Sequence, residues 1–229
     1  TERVKKVKKF ELTNEFITNM FGTKLFRIRA LVEFGDVEAG ELGGYVEKES
    51  NLGHDDNAWV YDNAWVYGDA QVSGDALVYD NARVYGNARV YGDAQVSGDA
   101  LVYGNAWVYG DAQVSGDARV YGNARVYGNA LVYDNAWVYG NARVCGDARV
   151  CGDARVCGNG DYAYAHGFGS VNRTTTFFRL KDGGVGVRCG CFYGTLAQFR
   201  DKIRETHGET KKAQEYLMLA DLMKLRFEK

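Results

Sequence analysis

The sequence predicts an all-β solenoid, and three observations predict it. Valine stands at 60, 66, 72 and every sixth position through Val156, seventeen copies in all. Alanine precedes each valine by two, from Ala58 through Ala154, with Asn or Asp before the alanine. Glycine precedes that Asn or Asp almost throughout, replaced by aspartate at 56, 62, 80 and 134. A six-residue unit cannot bury its own apolar side, so near-identical units have to stack on one another.

Each part of the unit has its own reason. In Ala-x-Val-Tyr, alternation sends Ala and Val to one side of a short strand and x and Tyr to the other, so Ala and Val line the core. The Gly-Asp or Gly-Asn pair accepts positive φ and supplies the corner. An antiparallel meander closed by Gly-Asn turns is the competing reading, but strands of about four residues pair weakly alone. Parallel coils also explain why like residues recur in register. The calcium-binding roll is excluded, because its period is nine and its signature is GGxGxD.

The flanks read as caps. In residues 24–34, KLFRIRALVEF, alternation predicts a strand with Phe26, Ile28, Ala30 and Val32 on one face and Arg27 and Arg29 on the other. A Gly-punctuated loop follows, with Val46 and Leu52 expected to plug the open end. The basic run at residues 1–10, TERVKKVKKF, reads as a solvated terminus rather than a nucleic-acid arm. After Asn159 the alanine position becomes Gly160 and then His166, and the valine position becomes Tyr162 and then Phe168, bulkier residues expected to close the core. A β-hairpin is predicted across Asp182 and Gly183. Thr195 with Gln198 forms the capping box of a helix carrying Leu196, Phe199 and Ile203 and ending at Gly208. A second helix spans about 210–227 with Ala213, Tyr216, Leu217, Ala220, Met223 and Phe227 inward. The expected organisation is an N-terminal β cap at 1–52, the solenoid at 53–160 and a C-terminal α+β cap at 161–229.

Written from valine, units such as VYGDAQ, VSGDAL and VYGNAR resemble the hexapeptide-repeat left-handed β-helix proteins. That resemblance implies triangular coils of three hexapeptides, the left hand, and a prism about 27 Å long at the usual strand spacing. The family usually has a small residue after the aliphatic, where this chain mostly has Tyr. The flanking segments RIRALVEFGDVEAGELGGYVE, GFGSVNRTTTFFRL and GCFYGTLAQFRDKIRETHG are similar to those bracketing the array in a family of bacterial, prophage and phage proteins often labelled transferases. The label rests on the shared solenoid, and a fold does not carry a chemistry.

Composition narrows the function. Lys and Arg number 28 against 30 Asp and Glu, a net charge of −2 that argues against nucleic acid as partner. No early apolar run suits a signal peptide and no stretch suits a membrane span, so the expected location is cytoplasmic, with no membrane partner. No cofactor and no metal site are expected: Cys145, Cys151 and Cys157 would fall on three different faces of a triangular coil, and Cys189 with Cys191 forms only CGC.

Hexapeptide acyltransferases, which the solenoid resembles, use a histidine base, yet residues 56–159 contain no His, Glu or Lys. His54 and His207 read as structural. His166 is the candidate catalytic residue, placed where an inward alanine is due, and its commoner role is a buried, hydrogen-bonded lid histidine. A small-molecule ligand at the C-terminal cap belongs with that enzyme reading. GFGS is too short for a dinucleotide fingerprint.

The favoured candidate is the outer surface. Grouping every third repeat puts Tyr67, Tyr85, Tyr103, Tyr121 and Tyr139 in one column beside Trp65, Arg83, Leu101, Arg119 and Trp137. A second face carries Tyr91, Tyr109 and Tyr127 beside Arg89, Trp107, Arg125 and Arg143. Tyr, Trp and Arg dominate binding hot spots. The sequence therefore predicts a non-catalytic scaffold that self-associates or binds a protein partner, and an array without threonine argues against ice binding.

Overall fold

Six residues complete one side of a coil and eighteen complete the coil. In the computed structural model, which describes residues 8–169 and 173–228, each repeat contributes one short strand, β4 (Trp59–Val60) through β20 (Arg155–Val156). These strands pair only in parallel and only at like positions: Leu101 with Arg119, Val102 with Val120, Trp107 with Arg125. Three parallel sheets result, so the array is a three-sided β-helix. The ladder explains the strictness of the repeat. Leu101 N–H donates to the Ala118 carbonyl at 2.9 Å, Tyr103 N–H to Val120 at 3.0 Å and Asn105 N–H to Gly122 at 2.8 Å, and the same bonds recur coil after coil.

Every repeat Ala and Val is buried. Full burial of a valine contributes roughly 1.5–3 kcal/mol. The alanines keep the three walls close enough for the valines to meet. Gly104 shows the corner requirement: its φ is +70, and a Cβ there would lie 3.1 Å from the Gly122 nitrogen. Asp80 and Asp134 hold positive φ at corners without being glycine. Each gains a bond in return, the Oδ2 accepting from Gly98 N–H at 2.9 Å and from Gly152 N–H at 3.2 Å.

The N-terminal strands β1 (Phe10–Thr18), β2 (Lys24–Ala30) and β3 (Leu42–Val46) extend one wall into a nine-stranded sheet. β2 stops at Ala30, so Val32 lies beyond the strand. Val46 pairs with Val66, and Leu52 bridges Val72. They are therefore rungs of the first coil, not plugs inserted into its end. What covers that region packs on the outside: Trp59 is fully buried against Phe34, at 5.3 Å between ring centroids, and against Phe10 at 6.2 Å. Of the basic run, residues 1–7 lie outside the described residues. Lys8 pairs with Glu49 at the surface, whereas Lys9 is only 3% exposed, contrary to a solvated terminus. Its Nζ donates to the carbonyls of Asp56 and Ala58, each at 2.8 Å, and lies 4.6 Å from the Phe34 ring centroid. Burial pulls its pKa below the ordinary value despite the nearby Asp56.

At the other end the chain leaves the coil through a turn at Asn159–Asp161, where the Asp161 carboxylate accepts from the N–H groups of Cys157 and Gly158. The strands β21 (Tyr162–Phe168), β22 (Arg173–Arg179), β23 (Val185–Cys189) and β24 (Phe192–Thr195) form a separate antiparallel sheet. Tyr162 and Phe178 join the solenoid core, while Phe177 faces a second core with the helices α1 (Leu196–His207) and α2 (Lys211–Phe227). Phe168, expected to help close the core, is 40% exposed, because β21 has turned away to pair with β22. The predicted hairpin, capping box and both helices are present, the Thr195 hydroxyl accepting from Gln198 N–H at 3.3 Å. Among the described residues no helix is long and apolar enough to cross a membrane.

Candidate functional site

Register decides what the outer surface looks like. Because β5 (Trp65–Val66), β8 (Arg83–Val84), β11 (Leu101–Val102), β14 (Arg119–Val120), β17 (Trp137–Val138) and β20 pair in sequence, the tyrosine after each valine lands over its counterpart one coil on. Tyr67, Tyr85, Tyr103, Tyr121 and Tyr139 stack with centroids 4.9, 4.9, 4.9 and 5.1 Å apart and rings within 7° of parallel. The spacing is that of the strands themselves. On the second face Tyr91, Tyr109 and Tyr127 stack at 4.9 and 5.0 Å. Each such pair stabilises by about 0.5–1.5 kcal/mol beyond burial alone.

Arginine and tryptophan alternate beside these columns. Arg83 lies over Trp65 with its guanidinium carbon 4.3 Å from the ring centroid. Trp137 is held between Arg119 at 5.0 Å and Arg155 at 4.2 Å, and Trp107 between Arg89 at 5.4 Å and Arg125 at 4.4 Å. Arg155 is absent from the sequence-based candidates, although adding one coil length to Trp137 finds it. Leu101 interrupts the first series. Burial, partly from neighbouring tyrosines, raises the hydroxyl pKa of Tyr67, Tyr85, Tyr91, Tyr103 and Tyr121. The phenols are neutral at pH 7, and the outward charge on these faces is that of the arginines.

On each of the three faces the residue one coil beyond the last tyrosine is cysteine: Cys157 after Tyr139, Cys145 after Tyr127 and Cys151 after Tyr133. The C-terminal sheet packs beside Cys145 and Cys151, whereas Cys157 stays exposed. Cys145 Sγ lies 3.6 Å from the Tyr162 hydroxyl, and Cys151 is buried, its thiol pKa raised by that burial. All five cysteines are free.

The histidines separate. His54 stacks on Phe10 at 4.3 Å and accepts from Lys9 N–H at 3.3 Å. His207 closes α1 near Tyr216, with ring centroids 5.9 Å apart. His166 is exposed, contrary to a buried lid histidine, and its Nδ1 lies 2.9 Å from the Thr174 hydroxyl. It lines an open cleft beside the last coil rather than the core, since the coil in which residue 166 would face inward never forms.

With this geometry in hand, comparison with known families gives a like architecture. The array is similar to the YdcK beta-solenoid repeat. Six stretches match it, residues 70–84, 82–96, 94–110, 112–126, 124–140 and 137–152, all within the array. A comparison with curated proteins finds no match for the chain. The YdcK repeat is a structural description, and it agrees with the three-sided ladder.

Proposed function

We propose that this chain is a non-catalytic β-solenoid scaffold that associates with a second copy or a protein partner through its aromatic and arginine faces, in a phage or prophage setting. The carrying observation is the unbroken Tyr67-to-Tyr139 stack flanked by Trp65 with Arg83 and by Trp137 between Arg119 and Arg155. Stacking uses the flat faces of the tyrosines. Ring edges, hydroxyls and guanidiniums remain as a rigid surface that costs little entropy to bury. The phage setting rests on the resemblance of the flanking segments.

The alternative, an acyltransferase with His166 as base, rests on resemblance to hexapeptide enzymes. Against it stands the environment of His166, whose hydrogen-bond partner among the described residues is the Thr174 hydroxyl and not an orienting carboxylate. Light scattering on Tyr103→Ser/Tyr121→Ser tests the scaffold reading, since Ser97 and Ser115 already occupy equivalent positions. The expected result is a folded coil of lower mass, or one that no longer retains its partner in a pull-down. Unchanged mass and partner binding would mean that the column merely stacks along its own solenoid. Acetyl transfer that disappears in His166→Ala would favour the enzyme.

A further inference from the structure

The third face of the prism differs from the other two. Its middle coils carry Gln95, Ser97, Gln113 and Ser115 where the others carry Trp, Arg or Leu beside Tyr. This wall runs up to β22 and the β23–β24 turn, and the junction holds a cleft of about 520 Å³ lined by Asn129, Asp147, Arg149, His166 and Arg173, among others. A second hollow of about 350 Å³ shares Arg149 with it and adds Arg188.

Two arginines of this junction, like Arg143 on the second face, lack the ring contacts of the Trp-flanked arginines. Arg83, Arg89, Arg119, Arg125 and Arg155 all lie over tryptophan rings. Arg149 and Arg173 lie over no ring and have no carboxylate within 4.0 Å among the described residues. Gly190, at φ +58, has no side chain, and a Cβ there would lie 1.9 Å from Arg173 Nη1. Arg188 lies 5.9 Å from the Tyr133 ring centroid and its Nη1 donates to the Cys191 carbonyl at 3.4 Å, but its buried Nε has no hydrogen-bond partner. The acid lining the first cleft, Asp147, accepts from Asn129 Nδ2 at 2.9 Å, and in the second hollow the Asp134 carboxylate accepts from Gly152 N–H. The arginines therefore outnumber carboxylates that are already engaged.

We propose that this cleft binds a small molecule bearing a phosphate or carboxylate group, held by Arg149 and Arg173, with Asp147, Asn129 and His166 facing its polar remainder. Guanidinium forks match both oxyanions, and the volume suits a small ligand. The site lies apart from the stacked tyrosine columns and goes beyond the scaffold reading, so either can fail alone.

The test is thermal unfolding of the whole chain against inorganic phosphate and, separately, succinate, at constant ionic strength. A ligand that binds the native state raises the melting temperature saturably, whereas excluded anions raise it without saturation. The wild type is expected to show a saturable rise with at least one anion, and Arg149→Gln/Arg173→Gln to lose it, with apparent affinity on the order of tenfold weaker or more. Both side chains are exposed, so the double variant should melt as the wild type does without anion, and the two single variants provide a check. Lys212→Gln, exposed on α2 away from both surfaces, should respond as the wild type. Saturation with phosphate alone assigns a phosphate-bearing ligand, and with succinate alone a carboxylate. No saturable rise with either anion, or an equal rise in the double variant, would overturn the proposal.

Discussion

The amide of Arg149 donates to the hydroxyl of Thr176 at 2.9 Å. In the coil below, the equivalent amide of Leu131 donates to the Ala148 carbonyl, also at 2.9 Å. Thr176 thus supplies from β22 the acceptor that a further coil would have supplied, and the solenoid stops without leaving that N–H bare. An uncovered coil end is otherwise a template for edge pairing.

Thr176→Val should remove that acceptor while keeping shape. A buried N–H left unsatisfied costs about 1–3 kcal/mol. Denaturant unfolding should show a loss of that size, and Thr176→Ser should recover most of it. A wild-type midpoint in the valine variant would show that the bond is dispensable.

Val102→Asp places a carboxylate in the middle of the coil core, where Val102 is fully buried. An unpaired buried charge costs several kcal/mol, comparable with the stability of a whole domain. The variant is expected not to fold, read by circular dichroism, and a native-like melt would contradict the inward placement of the valines.

Alkaline pH should unfold the protein through its tyrosines. Burial raises the pKa of Tyr67, Tyr85, Tyr91, Tyr103 and Tyr121 above the ordinary 10.0. A raised pKa in the folded state means a contribution fully present below pH 10.0 and lost as pH climbs through the folded values. Lys9, depressed below 10.5, acts oppositely, as stability gains while pH rises from its folded value to 10.5, but it is one group against these five and five further tyrosines, Tyr61, Tyr127, Tyr133, Tyr162 and Tyr193, whose pKa is also raised. The melting temperature should fall above pH 10, and native phenolate absorbance should appear at higher pH than in urea. Coincident native and unfolded titrations would contradict the burial.

Most of this architecture was legible because the repeat repeats. Val102, Ala100 and Gly104 declare inward, inward and corner, and seventeen copies leave one consistent register. The Tyr103 column followed from the same arithmetic, and so would Arg155. The ends were harder, because each part there occurs once. β1 escaped notice, its register shifting between Leu12 and Phe16, and so did β24, set off from β23 by the two-residue turn at Gly190 and Cys191. His166 was assigned to the inward register of a coil that β21 abandons, and only the pairing of Tyr164 with Thr176 reveals the departure. The cleft holding Arg149 and Arg173 joins residues from the array and the cap, a juxtaposition that no local spacing encodes.

The most direct measurement of the contact-face account is site-resolved hydroxyl-radical footprinting of the tyrosines, comparing the protein at its smallest species with the assembled or partner-bound form. Tyr164 and Tyr193, at 39% and 45% exposure on the C-terminal sheet, provide internal references. The account predicts that Tyr85, Tyr103 and Tyr121 become protected on association while the two references react equally in both. Unchanged reactivity along the column, in a protein that has associated, would contradict it.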